Sequence, residues 1–350
     1  MFPGKECDFL KTVIKNGLLI DPANAVQARL NLLLENDRVL AVTTEEPEAD
    51  TVIDAAGQVV SPGFIDIHMH EDFVMPQETL EQDETNAIFG CMLRMGVTTV
   101  LGGECGINRY DPIRYLDIVD RDGAPVNVAL LIGHSWLRES VGHRNKYSHV
   151  TDNELQAMIP LCQQALDAGC FGISYGMRYV PGIDHREFVT TARTCVPDRR
   201  LIAAHVRDDA AGIFAAGREF LDVAHDLGLP AEVSHIGSMA AFGQMEEFLK
   251  MVDAYRLNGL DVTCDCYPYY AFSTAIGSTT YDEGWRQRYH CDYDVVQLCE
   301  GDYQGQRCTE EIFENVRRTH PEYLTVCYVM KEQEVDMALR NPGVMIGSDG

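Results

Sequence analysis

The chain has 350 residues, 46% of them hydrophobic, and a formal net charge of −26. That length holds one large domain, alone or with a small companion, and the apolar share is ordinary for a globular protein with a sizeable core. So acidic a chain would be repelled by nucleic-acid phosphates, and no apolar run approaches the roughly 18 to 20 residues of a membrane span, so neither partner is expected.

The N-terminal stretch MFPGKECDFLKTVIKNG lacks the apolar core of a secretion signal. Twelve cysteines are scattered without a framework, and several sit in strand-like runs (Cys170, Cys264, Cys266), which reads as reduced thiols in a cytoplasmic protein. Thr12–Ile20, Arg29–Glu35 and Arg38–Thr44 are strand-like and are separated by turn residues such as Asp21-Pro22 and Asn36-Asp37. Thr51–Ala55 and Gln58–Ser61 flank Gly57 as in a hairpin. Residues 1–61 are therefore expected to form a small antiparallel β unit.

Pro62-Gly63 punctuates the chain, and a different rhythm follows. Short apolar runs alternate with helical patterns: Phe64–His70, Val97–Leu101, Val126–Ile132, Phe171–Tyr175, Leu201–His205, Ala231–His235, Leu260–Asp265 and Val344–Asp349. A helix-like stretch ends at Gly96, and residues 151–168 read as a helix opened by a capping box of Thr151 and Glu154. Continuous apolar strands with intervening helices mean parallel strands buried on both faces. Eight of them predict an α/β fold, a (β/α)8 TIM-like barrel over 62–350, rather than an open sheet. Residues 275–322, rich in Tyr, Asp, Arg and Gln, break the rhythm and read as an insertion after the seventh strand, a lid or specificity element.

Within this frame, ligand-type side chains fall at strand ends. On a strand, residues two apart share a face, so His68 and His70 would point one way at the C-terminal end of the first barrel strand, where barrel sites lie. Alone, such a pair is as well explained by a loop. His205 ends LIAAH, His235 ends AEVSH and Asp349 ends VMIGSD, however, and four strand ends delivering metal-ligand chemistry are hard to explain by packing. Histidines with a carboxylate suit zinc or a similar ion. His134, after VALLIG, is open between a site contact and a structural role. His143, His149, His185, His225, His290 and His320 are expected on the surface.

These features resemble the amidohydrolase superfamily, and within it the D-aminoacylases, or N-acyl-D-amino-acid deacylases. The resemblance is carried by GVTTVLGGECG (96–106), FGISYGMRYVPG (171–182), AAHVRDD (203–209), DCYPYYAFST (265–274) and VMIGSDG (344–350), which together span nearly the whole chain. No lysine occurs between Lys146 and Lys250, so the carboxylated lysine that bridges two metals in many amidohydrolases has no counterpart on the fourth strand. D-aminoacylases use a cysteine after the second strand instead, and Cys105 matches it. Read without the family, the alternative for Cys105 is an inert loop thiol, against which its flanking glycines and strand-end position favour a ligand.

The resemblance implies zinc-dependent hydrolysis of N-acyl-D-amino acids. Cys105, His205 and His235 would hold one tightly bound zinc, and His68, His70 and Asp349 a second, weaker position. Asp349 would act as general base and acid, and Tyr267 and Ser273 would contact substrate; Tyr267 could also be a packed aromatic. The stretch His235-Ile236-Gly237-Ser238 departs from members that carry a lysine there. Members of the family continue with another helix, a substrate-binding arginine and strands that complete the unit matching 1–61, so the resemblance implies that these parts lie beyond Gly350 in a longer chain or are supplied otherwise. Without its last helix, a barrel would expose apolar strand surface. Rival readings are a cyclic-amide hydrolase of the dihydroorotase or hydantoinase kind and a non-catalytic metal-binding barrel.

Overall fold

A computed structural model describes residues 10–81 and 87–350. Residues 1–9, on which the expected lack of a secretion signal partly rests, and 82–86, within the expected helix-like stretch before Gly96, lie outside the described residues. The described chain divides into two compact units between Phe64 and Ile65.

The first unit holds strands β1 (Lys11–Lys15), β2 (Leu18–Asp21), β3 (Val26–Arg29), β4 (Asn31–Glu35), β5 (Arg38–Thr43), β6 (Thr51–Asp54) and β7 (Val59–Val60). They form two sheets, ordered β5-β4-β1-β6 and β3-β2-β7. The run expected as one strand over Thr12–Ile20 is broken because Asn16 takes a left-handed conformation (φ 65°) before Gly17. The expectation of an antiparallel unit needs correction: β1 pairs with β6, and β2 with β7, in parallel. The segments either side of Gly57 lie in different sheets, so they are not a hairpin.

The second unit alternates strands with helices: β8 (Phe64–Asp66), α1 (Ile88–Arg94), β9 (Val97–Gly102), α2 (Pro112–Asp122), β10 (Asn127–Leu130), β11 (Ile132–Gly133), α3 (His134–Ser140), α4 (Asp152–Asp167), β12 (Gly172–Gly176), α5 (His185–Ala192), β13 (Leu201–His205), α6 (Ile213–Leu227), β14 (Ala231–Val233), α7 (Ile236–Ala240), α8 (Met245–Leu257) and β15 (Val262–Cys266). After an inserted segment come α11 (Glu332–Arg340) and β19 (Val344–Ile346). The sheet orders are β10-β9-β8 and β11-β12-β13-β14-β15-β19; β9 pairs with β10 in parallel, and so do all neighbours from β11 to β19 in the second sheet. Leu131, between β10 and β11, joins the two sheets in sequence, its N–H donating to Gly102 O at 2.9 Å. Past the outer strands, Asp349 N–H donates to His68 O and His70 N–H to Gly350 O, each at 2.8 Å. The mixed α/β architecture matches the alternating pattern of the sequence.

Local signals explain much of this. The α4 N-terminus carries both halves of the Thr151–Glu154 capping box. β12 and β13, GISYG and LIAAH, are almost wholly buried, as parallel strands covered on both faces must be. Every cysteine among the described residues is free. No helix among them is long and apolar enough to cross a membrane.

The inserted segment builds its own sheet, β16 (Phe272–Ala275), β17 (Val296–Leu298) and β18 (Leu324–Cys327), antiparallel in the order β16-β18-β17, with helices α9 (Trp285–Tyr289) and α10 (Glu310–Thr319). Its centre is aromatic: Phe313, 1% exposed, lies 5.2–5.4 Å, ring to ring, from Tyr281, Trp285 and Tyr293. Truncating such a ring leaves a cavity that neighbours refill only in part. Phe313→Ala is predicted to destabilise the protein by about 3–5 kcal/mol, read as a lowered denaturant midpoint, with a change below about 1 kcal/mol contradicting this packing role.

Candidate metal centre

The C-terminal ends of the parallel strands converge on one cluster of donors. One ligand atom from each of His68, Cys105, His235 and Asp349 lies within 4.8 Å of all the others. Cys105 Sγ is 3.1 Å from His235 Nε2 and 3.6 Å from His68 Nε2. Asp349 Oδ1 is 3.4 Å from His68 Nε2 and 3.5 Å from His70 Nε2. The His205 ring packs edge-on against His235, centroids 4.6 Å apart. Four of the six expected ligand residues therefore share one cluster, His70 stands beside its Asp349, and His205 packs on its His235. Tyr267 and Ser273 line a small cavity beside them, together with His205, His235 and Asp349.

The route to this convergence differs from the simple strand alternation expected for His68 and His70. β8 ends at Asp66, and both histidines lie in the irregular segment after it. β14 and β19 likewise stop before His235 and Asp349. Instead, three of the donors sit on left-handed backbone: Cys105 (φ 55°), His235 (φ 29°) and Asp349 (φ 55°). Each such non-glycine residue costs on the order of 1–3 kcal/mol and persists only where its surroundings over-determine it, a pattern concentrated at functional sites.

Those surroundings are visible. The loop bearing Cys105 is stapled by Glu71, whose carboxylate accepts from Gly103 N and Arg109 N, each at 2.9 Å. Ser174 Oγ accepts from Gly106 N at 3.0 Å and donates to Gly103 O. His235 N–H donates to Asp265 Oδ2 at 2.9 Å.

The imidazoles are also fixed from behind. His68 Nδ1 lies 2.9 Å from Asp265 Oδ2, so this ring donates from Nδ1 and turns Nε2 to the cluster. Ser238 Oγ is 2.8 Å from His235 Nδ1, again leaving Nε2 inward. His205 pairs through Nε2 with Asp209 Oδ1 at 3.3 Å, and its buried Nδ1 has no hydrogen-bond partner.

Charge follows this geometry. Burial opposes ionisation of Cys105, but the charge of His235 and the neighbouring His235 and His68 nitrogens hold the thiol well below its ordinary range. Burial likewise opposes, and His235, His68 and His70 overcome, so that Asp349 is held well below the usual carboxylate range. A soft thiolate, a carboxylate and inward imidazole nitrogens, one of them unpartnered, fit a borderline cation such as zinc.

Sequence reasoning passed over several residues of this centre. Asp265 closes the apolar run Leu260–Asp265, next to the last residue of β15, and the signal that singled out His205 would have found it. Ser238 and Asp209 lie one helical turn or less beyond a histidine. Glu104 and Glu232 are buried acids inside the cluster, and burial pushes Glu104 up to about 8 and Glu232 well above its ordinary value. His134 is turned away: it stacks near Tyr175 and approaches Glu187 Oε1 at 3.3 Å without hydrogen-bond alignment. Burial and Arg138 push His134 down to about 3.

Gly176 gives this geometry a test. A Cβ built there would stand 2.1 Å from Cys105 O, against backbone that cannot yield cheaply. Gly176→Ala is predicted to displace the Cys105 turn and lower bound zinc per chain by elemental analysis. An unchanged zinc content in a folded variant would disprove the dependence.

No family model matches the chain. Among curated proteins it is similar to the D-aminoacylase of Alcaligenes xylosoxydans xylosoxydans, 30% identical over 376 residues, covering 97% of this chain and 74% of the relative. It is 29% identical over 294 residues to the N-acyl-D-glutamate deacylase of the same organism, covering 76% of this chain and 58% of that protein. Among solved structures it superposes on the N-acyl-D-glutamate deacylase of Bordetella bronchiseptica with a TM-score of 0.83 and 28% identity, covering 98% of this chain and 76% of that one. That structure is complexed with zinc and a phosphonate that mimics the tetrahedral intermediate of its reaction.

Proposed function

The chain belongs to the D-aminoacylase family, and from that premise we propose that it hydrolyses the amide bond of N-acyl-D-amino acids in a zinc-dependent reaction. It is a metal-dependent amidohydrolase of linear amides. The observation that carries this reading is the meeting of His68, Cys105, His235 and Asp349 in one cluster just past the strand ends, with His70 beside Asp349 and the His205 ring packed on His235.

Cys105, His205 and His235 would hold one tightly bound zinc, and His68, His70 and Asp349 a second, weaker position. Bound there, zinc supplies Lewis acidity, polarising the amide carbonyl and making water acidic enough to attack near neutral pH. Asp349, ionised among three histidines, accepts the proton of the attacking water and returns it to the departing nitrogen, which is otherwise a poor leaving group. Burial and the nearby Asp349 push the Tyr267 phenol well above its ordinary value, so it keeps its proton and can donate to the substrate carboxylate. Ser273, on the same cavity, is a second donor to that group.

The remaining assignments share this basis. The eight apolar runs over 62–350 form a (β/α)8 barrel, joined to the 1–61 β unit, which is of sandwich type; the insertion forms a lid or specificity element over the site. Free thiols throughout the described chain suit a cytoplasmic enzyme, and its partner is a small N-acyl amino acid, with no nucleic acid or membrane.

The direct test is hydrolysis of paired N-acetyl-D- and N-acetyl-L-amino acids by the zinc-loaded protein. Release of D-amino acids alone is expected, and equal or exclusive release of L-amino acids would refute the assigned class. Asp349→Asn should retain the tight zinc and lose about 10²–10⁴-fold in kcat. Full activity in that variant would remove Asp349 from its proton-transfer role.

A further inference from the structure

The insertion reaches the metal centre through Tyr289, the last residue of α9. Its ring is buried against Phe242 and Phe272, centroids 4.9 and 5.6 Å away. Its hydroxyl donates to Asp209 Oδ2 at 2.7 Å. The other oxygen of that carboxylate, Oδ1, is the one 3.3 Å from His205 Nε2. Asp209 is 2% exposed, and Arg178 Nε lies 3.5 Å from Oδ2.

An imidazole can present either nitrogen by turning over, so something must choose. At His205 the choice is made by Asp209: it accepts from Nε2–H and leaves the lone pair on Nδ1, the buried atom without a partner. Asp209, in turn, lies in the loop after β13, where a carboxylate bonded at one oxygen can still pivot. Tyr289 holds the second oxygen by the one aligned hydrogen bond to it, with the Arg178 guanidinium beside it as an ion-pair partner. The insertion also touches this loop through Arg288, 3.4 Å from Asp208 Oδ1, but Asp208 is about half exposed and such a pair contributes little. Arg178, paired with Asp209 and bonded to Thr279 O and Thr280 O, is a further link, but the Tyr289 bond is the direct hydrogen bond from the insertion to Asp209.

We propose that Tyr289 is a positioning residue for the metal centre: through Asp209 it keeps His205 Nδ1 turned inward, so seating of the insertion and metal binding at His205 strengthen each other. The proposal rests on the assignment of His205 as a zinc ligand made above. Because linkage is reciprocal, zinc must stabilise the seated insertion by the same factor by which the seated insertion tightens zinc. Partners directly behind metal ligands are worth about 10–100-fold in affinity, and Tyr289 stands one bond further out, so about tenfold is expected.

The test measures zinc dissociation constants by chelator competition, together with the visible spectrum of the cobalt-substituted protein, in Tyr289→Phe, Asp209→Asn, the double variant and Tyr281→Phe. Tyr281, in the same insertion, bonds Thr325 Oγ1 at 2.9 Å, away from Asp209, and so controls for general loosening. Tyr289→Phe should weaken zinc about tenfold and alter the cobalt spectrum, Tyr281→Phe should stay within about twofold, and the double variant should be no weaker than Asp209→Asn alone. A Tyr289→Phe constant within twofold of wild type, an equal loss in Tyr281→Phe, or additive losses in the double variant would each overturn the proposal. Should Asp209→Asn not fold, the Tyr289→Phe and Tyr281→Phe comparison decides alone. His205→Asn separates the premise: unchanged zinc affinity there overturns the ligand assignment and the coupling together. Lost affinity there, beside an unmoved Tyr289→Phe, overturns only the coupling.

Discussion

One carboxylate oxygen references two parts of the metal centre to a single point. Asp265 Oδ2 pairs with the ring of His68 and accepts the backbone N–H of His235, both at 2.9 Å. Burial resists charge on Asp265, yet His68 beside it draws the carboxyl below its ordinary value, so the oxygen that organises the cluster is an anion. A buried anion is tolerable only when such donors surround it. The segments after β8 and β14 are thereby fixed relative to β15, and the remaining donors are arranged around that frame.

The same enclosure decides which other acids can ionise. Glu104, Glu232 and Asp265 are all buried, and three full charges so close together in a water-excluded space would repel strongly. Asp265 is drawn down because His68 faces it, while burial pushes the Glu104 carboxyl up to about 8 and the Glu232 carboxyl well above its ordinary value. A protonated carboxyl can donate as well as accept. Glu232 Oε1 and Asp265 Oδ1, which otherwise lack partners, can therefore share a proton.

Much of the fold was legible because buried parallel strands are written as apolar runs: GISYG and LIAAH are strands with nearly the bounds their residues suggest. His68, His70, His205, His235 and Asp349 were legible for a related reason, since a polar ligand-type residue closing an apolar run stands out, whereas Cys105 was legible chiefly through the family resemblance. Their local geometry was not. Periodicity assumes regular backbone, whereas His68, His235 and Asp349 lie just past the last regular residue, where hydrogen bonds to distant partners set the conformation. The N-terminal unit misled for the same reason, because strand pairing there depends on contacts across the unit rather than on neighbours around Gly57. Asp209 and Tyr289 are 80 residues apart, and no local pattern joins them.

The left-handed donors have a consequence for anyone wishing to build such a centre elsewhere. Copying six side chains onto the ends of ideal strands would reproduce the inventory and miss the aim, because Cys105, His235 and Asp349 approach along directions that extended backbone does not offer. The transplantable object is the bend together with its braces: Glu71 and Ser174 for Cys105, Asp265 for His235, and the paired backbone of His68 and His70 for Asp349. A scaffold chosen for its kinks rather than its regularity is the better recipient.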